Sequence, residues 1–182
     1  PVVLATVGIH AASRSTVMSP ADQLAVTRQL GREPRDVIRV AHRCPCGDPD
    51  VVVTSPRLSD GSPFPTLYYL TCPRAASAIG GLEGTGVMRE MEARLDKDPQ
   101  LRAAYAAAHE HYLTARAALA DVPEIDGVSA GGMPDRVKCL HVLLAHALAA
   151  GPGVNPLGDE TLDLVGEWWT TTACCATSEE ST

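Results

Sequence analysis

Residues 131–159 read Gly-Gly-Met-Pro-Asp-Arg-Val-Lys-Cys-Leu-His-Val-Leu-Leu-Ala-His-Ala-Leu-Ala-Ala-Gly-Pro-Gly-Val-Asn-Pro-Leu-Gly-Asp. Pro134 suits a first helical position, where a missing N–H costs nothing. No breaker follows until Gly151-Pro152-Gly153, so the stretch predicts a helix over residues 135–150. Cys139, Leu143, His146 and Ala150 are spaced by four, three and four, which places them on one stripe of that helix. The helix is apolar enough to be the one the core is built on, yet it carries a cysteine and histidines. Gly131, Gly132, Arg136 and Lys138 crowd its expected start.

Outward from this helix the chain divides into two halves of different character. Ser19 and Pro20 read as N-cap and first residue of a helix over residues 20–30. Residues 36–41, 51–54 and 66–71 are β-branched or aromatic runs between turn residues, as strands are. Three strands joined by short connections predict a small antiparallel sheet. After Cys72-Pro73 the spacing becomes helical over residues 73–82, 86–95, 99–120 and 159–169. Residues 1–17 have no clear periodicity and are expected to be an extension outside the domain. Residues 170–182 are small and polar and are expected to be a flexible tail.

The chain has 182 residues, 45% of them hydrophobic, and a net charge of −7. That length suits one domain with a substantial core, here residues 18–169. The acidic balance argues against nucleic acid and acidic membranes as partners. It is uneven: residues 1–80 hold eight Lys and Arg against six Asp and Glu, and residues 81–182 hold seven against sixteen. An anionic small molecule or protein partner would therefore meet the N-terminal half. No apolar run approaches the ~20 residues of a membrane span. Cysteines without an export signal point to a cytoplasmic protein with reduced thiols.

Three segments can carry chemistry. Cys44-Pro45-Cys46-Gly47 is a turn able to aim two sulfurs at one point. Cys72 precedes Pro73 at a strand-to-helix junction, where the helix dipole favours a thiolate. Cys139 would be a fourth ligand from the central helix. Together Cys44, Cys46, Cys72 and Cys139 are candidate ligands of a zinc ion or an iron–sulfur cluster, with His42 and His146 as spare donors. The spacing is not the paired Cys-x-x-Cys of zinc ribbons or ferredoxins. Isolated cysteines are also frequent small core residues, and His146 alone on a helix fits a satisfied core histidine. Gly131 and Gly132 before a helix start, with Arg136 and Lys138 in its first turns, predict an anion cradle. His109 and His111 lie on the long helix over residues 99–120, which reads as scaffold.

The segments 43–49, 56–73, 88–111 and 131–159 resemble the domain-of-unknown-function family 501, which occurs in actinobacteria. The resemblance spans about residues 20–165. It implies a domain start near Met18 and assigns no activity.

The expected fold is α+β, a three-stranded antiparallel sheet in the N-terminal third packed on four or five helices. The leading functional expectation is a cysteine-ligated metal or iron–sulfur site beside an anion-binding helix start. A metal-free adaptor for a protein partner is the alternative. A thiol enzyme using Cys139 or Cys72 comes third, because residues two apart on a helix, such as Cys139 and His141, point to opposite sides.

Overall fold

The computed structural model describes residues 16–170. The expected extension, apart from Thr16 and Val17, and the expected tail beyond Thr170 lie outside the described residues, as do Cys174 and Cys175. The element order is β1 (Thr16–Val17), α1 (Pro20–Leu30), β2 (Val37–Arg43), β3 (Pro49–Thr54), β4 (Tyr68–Leu70), α2 (Pro73–Glu83), α3 (Val87–Lys97), α4 (Pro99–Ala117), a 3-10 turn (Pro123–Ile125), α5 (Leu140–Ala150) and α6 (Pro156–Val165).

The three expected strands form an antiparallel sheet, and Thr16–Val17 pairs on its edge, giving the order β1-β2-β3-β4. The helices number six among the described residues, not four or five. Both faces of the sheet are apolar. Every residue of β3 is buried. Val51 and Val53 belong to the main core, so alternation sends Val52 to the opposite face. Val52 pairs with Val40 on β2 and Tyr69 on β4. On that second face lies α1, contributing Ala25 and Val26. Its start carries a capping box: the Asp22 N–H donates to Ser19 Oγ at 3.1 Å, and the Ser19 N–H donates to Asp22 Oδ2 at 3.0 Å. Asp22 also takes both guanidinium arms of Arg43, at 2.6 and 2.9 Å, tying α1 to the end of β2.

The first face rests on α5, which touches β2, β3 and β4 and crosses α6 closely. Leu140, Leu143, Leu144 and His146 of α5 are fully buried. The α6 helix begins at Pro156 with Asn155 as N-cap, three residues before the start expected from Asp159. It ends at Val165, so Trp168 and Trp169 lie beyond it. A Cβ on Gly158 would collide with the Leu143 carbonyl. Only a residue without a side chain lets the two helices approach this far.

The central helix is shorter than its sequence suggests. It starts at Leu140, not residue 135. Residues 131–138 instead fold into a compact turn with a cis bond between Met133 and Pro134. The Arg136 N–H donates to the Gly132 carbonyl and the Lys138 N–H to the Gly131 carbonyl, both at 2.8 Å. Gly132 has φ +96°, and a Cβ there would lie 2.7 Å from the Arg136 carbonyl oxygen. The glycines are thus required by the turn itself.

His146 sits inside this core within a complete polar chain. Asn155 Oδ1 accepts the Gly158 N–H of the α6 cap at 3.0 Å, which fixes the amide orientation. Asn155 Nδ2 then donates to His146 Nδ1 at 3.2 Å. The proton of the neutral ring is therefore on Nε2, which donates to Nδ1 of the exposed His111 at 3.0 Å. Tyr68 stacks on the ring and Tyr112 meets it edge-on. Burial, with the neighbouring His111, pushes the His146 pKa down to about 3.

Two expected outcomes test this packing. Gly158→Ala should destabilise the fold by about 1–3 kcal/mol, as overpacking does, read as a fall in melting temperature. For His146, the folded pKa lies below the unfolded one, so the unfolded chain binds more protons in between. Stability should therefore fall as pH drops from about 6.5 towards 4, by at most about 1.4 kcal/mol per unit. In His146→Gln, urea titrations across that window should show a flatter dependence.

Candidate metal centre

The buried start of α5 leaves backbone N–H groups that need acceptors. Neither a Ser nor an Asp caps it, since Cys139 is the N-cap residue. The acceptor comes from the last residue of α2: Glu83 Oε1 takes the Leu140 N–H at 2.8 Å. One helix packing on another thus delivers a carboxylate to a cysteine and a histidine. His141 Nδ1 lies 3.3 Å from the same Glu83 oxygen and 3.9 Å from Cys139 Sγ. Glu83, Cys139 and His141 offer ligand atoms all within 4.8 Å of one another. The cluster is half-buried, with the His141 and Glu83 side chains 33% and 25% exposed.

The other face of the His141 ring fixes its chemistry. Nε2 is 3.2 Å from the Ala76 carbonyl, which can only accept, so Nε2 carries a proton. In the neutral ring Nδ1 is then a lone pair aimed between a carboxylate and a thiol. A backbone carbonyl holding the far nitrogen is the usual arrangement behind a metal-ligating histidine. Without a metal, a second proton on Nδ1 serves the same two partners. Accordingly, Cys139 beside the ring raises the His141 pKa; burial opposes this and the Glu83 charge adds to it. Burial pushes the Cys139 thiol up, but His141 and the Val142 N–H together bring it below its ordinary value.

Cys139 and His141 do not point apart, as their spacing on a helix would require. Cys139 is the N-cap residue, with an extended φ of −157° and ψ of 110°, so it lies outside the helix and the helical angle between residues two apart does not apply to it. Cys-x-His was the legible signal, hidden by the expected helix start. Glu83 lies 57 residues before Leu140 and has no local signature.

Among the described residues the four expected cysteines are not gathered into one metal-capable group. Among the described residues, the metal-capable group is Glu83, Cys139 and His141, and Cys44, Cys46 and Cys72 are outside it. Cys44 and Cys72 are 3% and 0% exposed within the apolar core, where a thiol behaves as a small hydrophobe. Cys46 is exposed in the turn between β2 and β3. The spare donors are committed elsewhere: His42 Nδ1 meets buried Asp50 at 2.8 Å, and His146 belongs to the chain through Asn155. His111 is part of that chain rather than plain scaffold.

The anion cradle also moves. Gly131 and Gly132 lie within a turn rather than at a helix start, Arg136 is 64% exposed and pairs with Glu92 at 3.3 Å, and Lys138 lies in the same turn. The helix start does hold an anion, but it is the chain's own Glu83.

Fold and cluster together define an α+β protein with a candidate cysteine-containing metal site. The chain belongs to the family described as protein of unknown function DUF501, whose model matches residues 40–163. No curated protein matches the chain, and no solved structure matches it. No helix among the described residues is long and apolar enough to cross a membrane.

In metal-free protein, Cys139 should alkylate with iodoacetamide faster than an ordinary thiol of similar exposure, because its pKa is held below the usual thiol value. His141→Ala removes one of the groups that together offset burial, so the thiol pKa should rise and the rate at pH 7 should fall several-fold. Peptide mass spectrometry separates Cys139 from exposed Cys46, whose rate should not change.

Proposed function

We propose that the protein binds a single zinc ion through Glu83 Oε1, Cys139 Sγ and His141 Nδ1, with a fourth position open to solvent. The observation that carries this reading is convergence on one nitrogen. A tetrahedral zinc ion with bonds of about 2.3 Å to sulfur and about 2.0–2.2 Å to nitrogen and oxygen sets ligand atoms roughly 3.3–3.6 Å apart. The distances of 3.3 Å from nitrogen to oxygen and 3.9 Å from nitrogen to sulfur are close to this. Mixed S, N and O donors suit zinc. An iron–sulfur cluster would want further cysteines at the same point, and one thiolate stands here.

Three protein ligands and a solvent-facing position permit Lewis-acid chemistry, activating a water or polarising a carbonyl or phosphoryl oxygen. A thiol enzyme distributes its partners differently: the nucleophile faces one ring nitrogen and the orienting carboxylate faces the other. Here Cys139 and Glu83 share Nδ1, and Nε2 is occupied by a backbone carbonyl. A reduced thiolate ligand fits a cytoplasmic setting.

Elemental analysis of protein purified without chelators tests the reading. About one zinc per chain is expected, lost in Cys139→Ser and His141→Ala and kept in Cys46→Ser. Cobalt substitution should give a thiolate charge-transfer band that Cys139→Ser abolishes. Folded wild-type protein that takes up neither metal would leave the cluster a hydrogen-bonded cap, and zinc lost equally in Cys46→Ser would place the site elsewhere.

A further inference from the structure

The second face of the sheet is only partly covered. The α1 helix ends at Leu30, and beyond it Val37, Val52 and Tyr69 are left between the turn after α1 and the loop before β4. Leu58 and Phe64 from that loop close the far side. The result is a cleft of about 380 Å³, apolar along its floor, within the roughly 300–1,000 Å³ range of small-molecule pockets. Phe64 is the chain's single phenylalanine, and it is spent here, half-exposed, rather than in the main core.

Arg32 and Arg35 line the same cleft, and both are exposed. Arg43, Arg57, Arg94, Arg102 and Arg136 each meet a carboxylate. Among the described residues no carboxylate hydrogen-bonds to Arg32 or Arg35 or pairs closely with them, although Asp60 feels the charge of Arg35; Arg32 reaches the Glu33 carbonyl at 3.3 Å. Glu33 and Asp36 line an adjoining hollow that Arg32 and Arg35 also border, with Asp36 beside Ser59. Two guanidinium groups with no close carboxylate contact, lining a cleft with an apolar floor, complement a molecule with one anionic head and a short apolar body.

We propose that this cleft binds a small amphipathic carboxylate, its apolar body on Val52, Phe64 and Tyr69 and its head between Arg32 and Arg35. The site is separate from the Glu83 cluster and does not depend on metal.

Octanoate and 1-octanol, titrated into the full chain, test the proposal by amide chemical shifts and calorimetry. Octanoate should shift the amides of Leu58, Phe64 and Tyr69 and leave that of His141 unmoved. The double variant Arg32→Ala with Arg35→Ala, both on the surface, should weaken octanoate binding roughly tenfold or more, as loss of charge-assisted hydrogen bonds does. Leu58→Trp should block binding with both arginines in place. Octanol binding as tightly as octanoate, an arginine double variant within twofold of wild type, or no shifts around the cleft would overturn the proposal.

Discussion

Glu83 accepting the Leu140 N–H is the contact on which the C-terminal half is arranged. A helix as apolar as α5 can be buried against a sheet only if its first amides find acceptors, since an unmet buried N–H costs about 1–3 kcal/mol. The sequence offers no cap residue at position 139. The carboxylate at the end of α2 fills that role, and Glu92 of α3 does the same for the Val137 N–H at 3.1 Å. Two glutamates from two helices thus hold the segment entering α5. The Tyr105 hydroxyl, donating to the Arg136 carbonyl at 3.0 Å, pins it from α4. Once Glu83 is there, Cys139 and His141 cannot avoid it.

The far end of α5 follows the same rule with neutral groups. Asn155 caps α6 through Oδ1 and turns its amide nitrogen on His146. A side chain that begins one helix therefore sets the tautomer of a histidine inside another. Each polar atom in that chain has a partner, which is what allows His146 to be fully buried. Arg116 shows the same economy at the edge of the core. It is 5% exposed, and its guanidinium donates to the carbonyls of Val128 and Ile125 at 2.6 Å each and of Pro65 at 3.2 Å. It thereby fastens the loop after α4 to the segment before β4 without a carboxylate.

Much of the fold was legible because local signals and burial agree. Ser19-Pro20 and Asp98-Pro99 mark helix starts that the structure keeps at Pro20 and Pro99. The strands follow their β-branched runs to within a few residues. Failures cluster where tertiary contacts override local chemistry. Pro134 looks like a helix start, but the turn through Gly131 and Gly132 satisfies its own amides and delays the helix by five residues. Asn155-Pro156 is as good a start signal as Ser19-Pro20, and α6 begins there, three residues before Asp159. For the site, Cys139 was legible as a ligand, whereas His141 was rejected on a helical geometry that does not hold there. Glu83 could be found only in three dimensions. The thiols of Cys44 and Cys72 mark the limit of motif reasoning: a cysteine in a turn and one before a proline look like ligands, and packing makes both core.

Charge decides how the cluster around His141 should be read. Glu83 and a Cys139 thiolate bring two negative charges to one lone pair, in a half-buried place where water screens them less than at the surface. The Leu140 N–H and the start of α5 offset part of this. A proton on Nδ1 offsets one charge and leaves the other. A divalent cation offsets both and bonds to all three atoms at once, which no single proton can do. The arrangement is thus tolerable without metal, the proposed ion would complete it, and the Ala76 carbonyl on Nε2 holds the ring in place in either state.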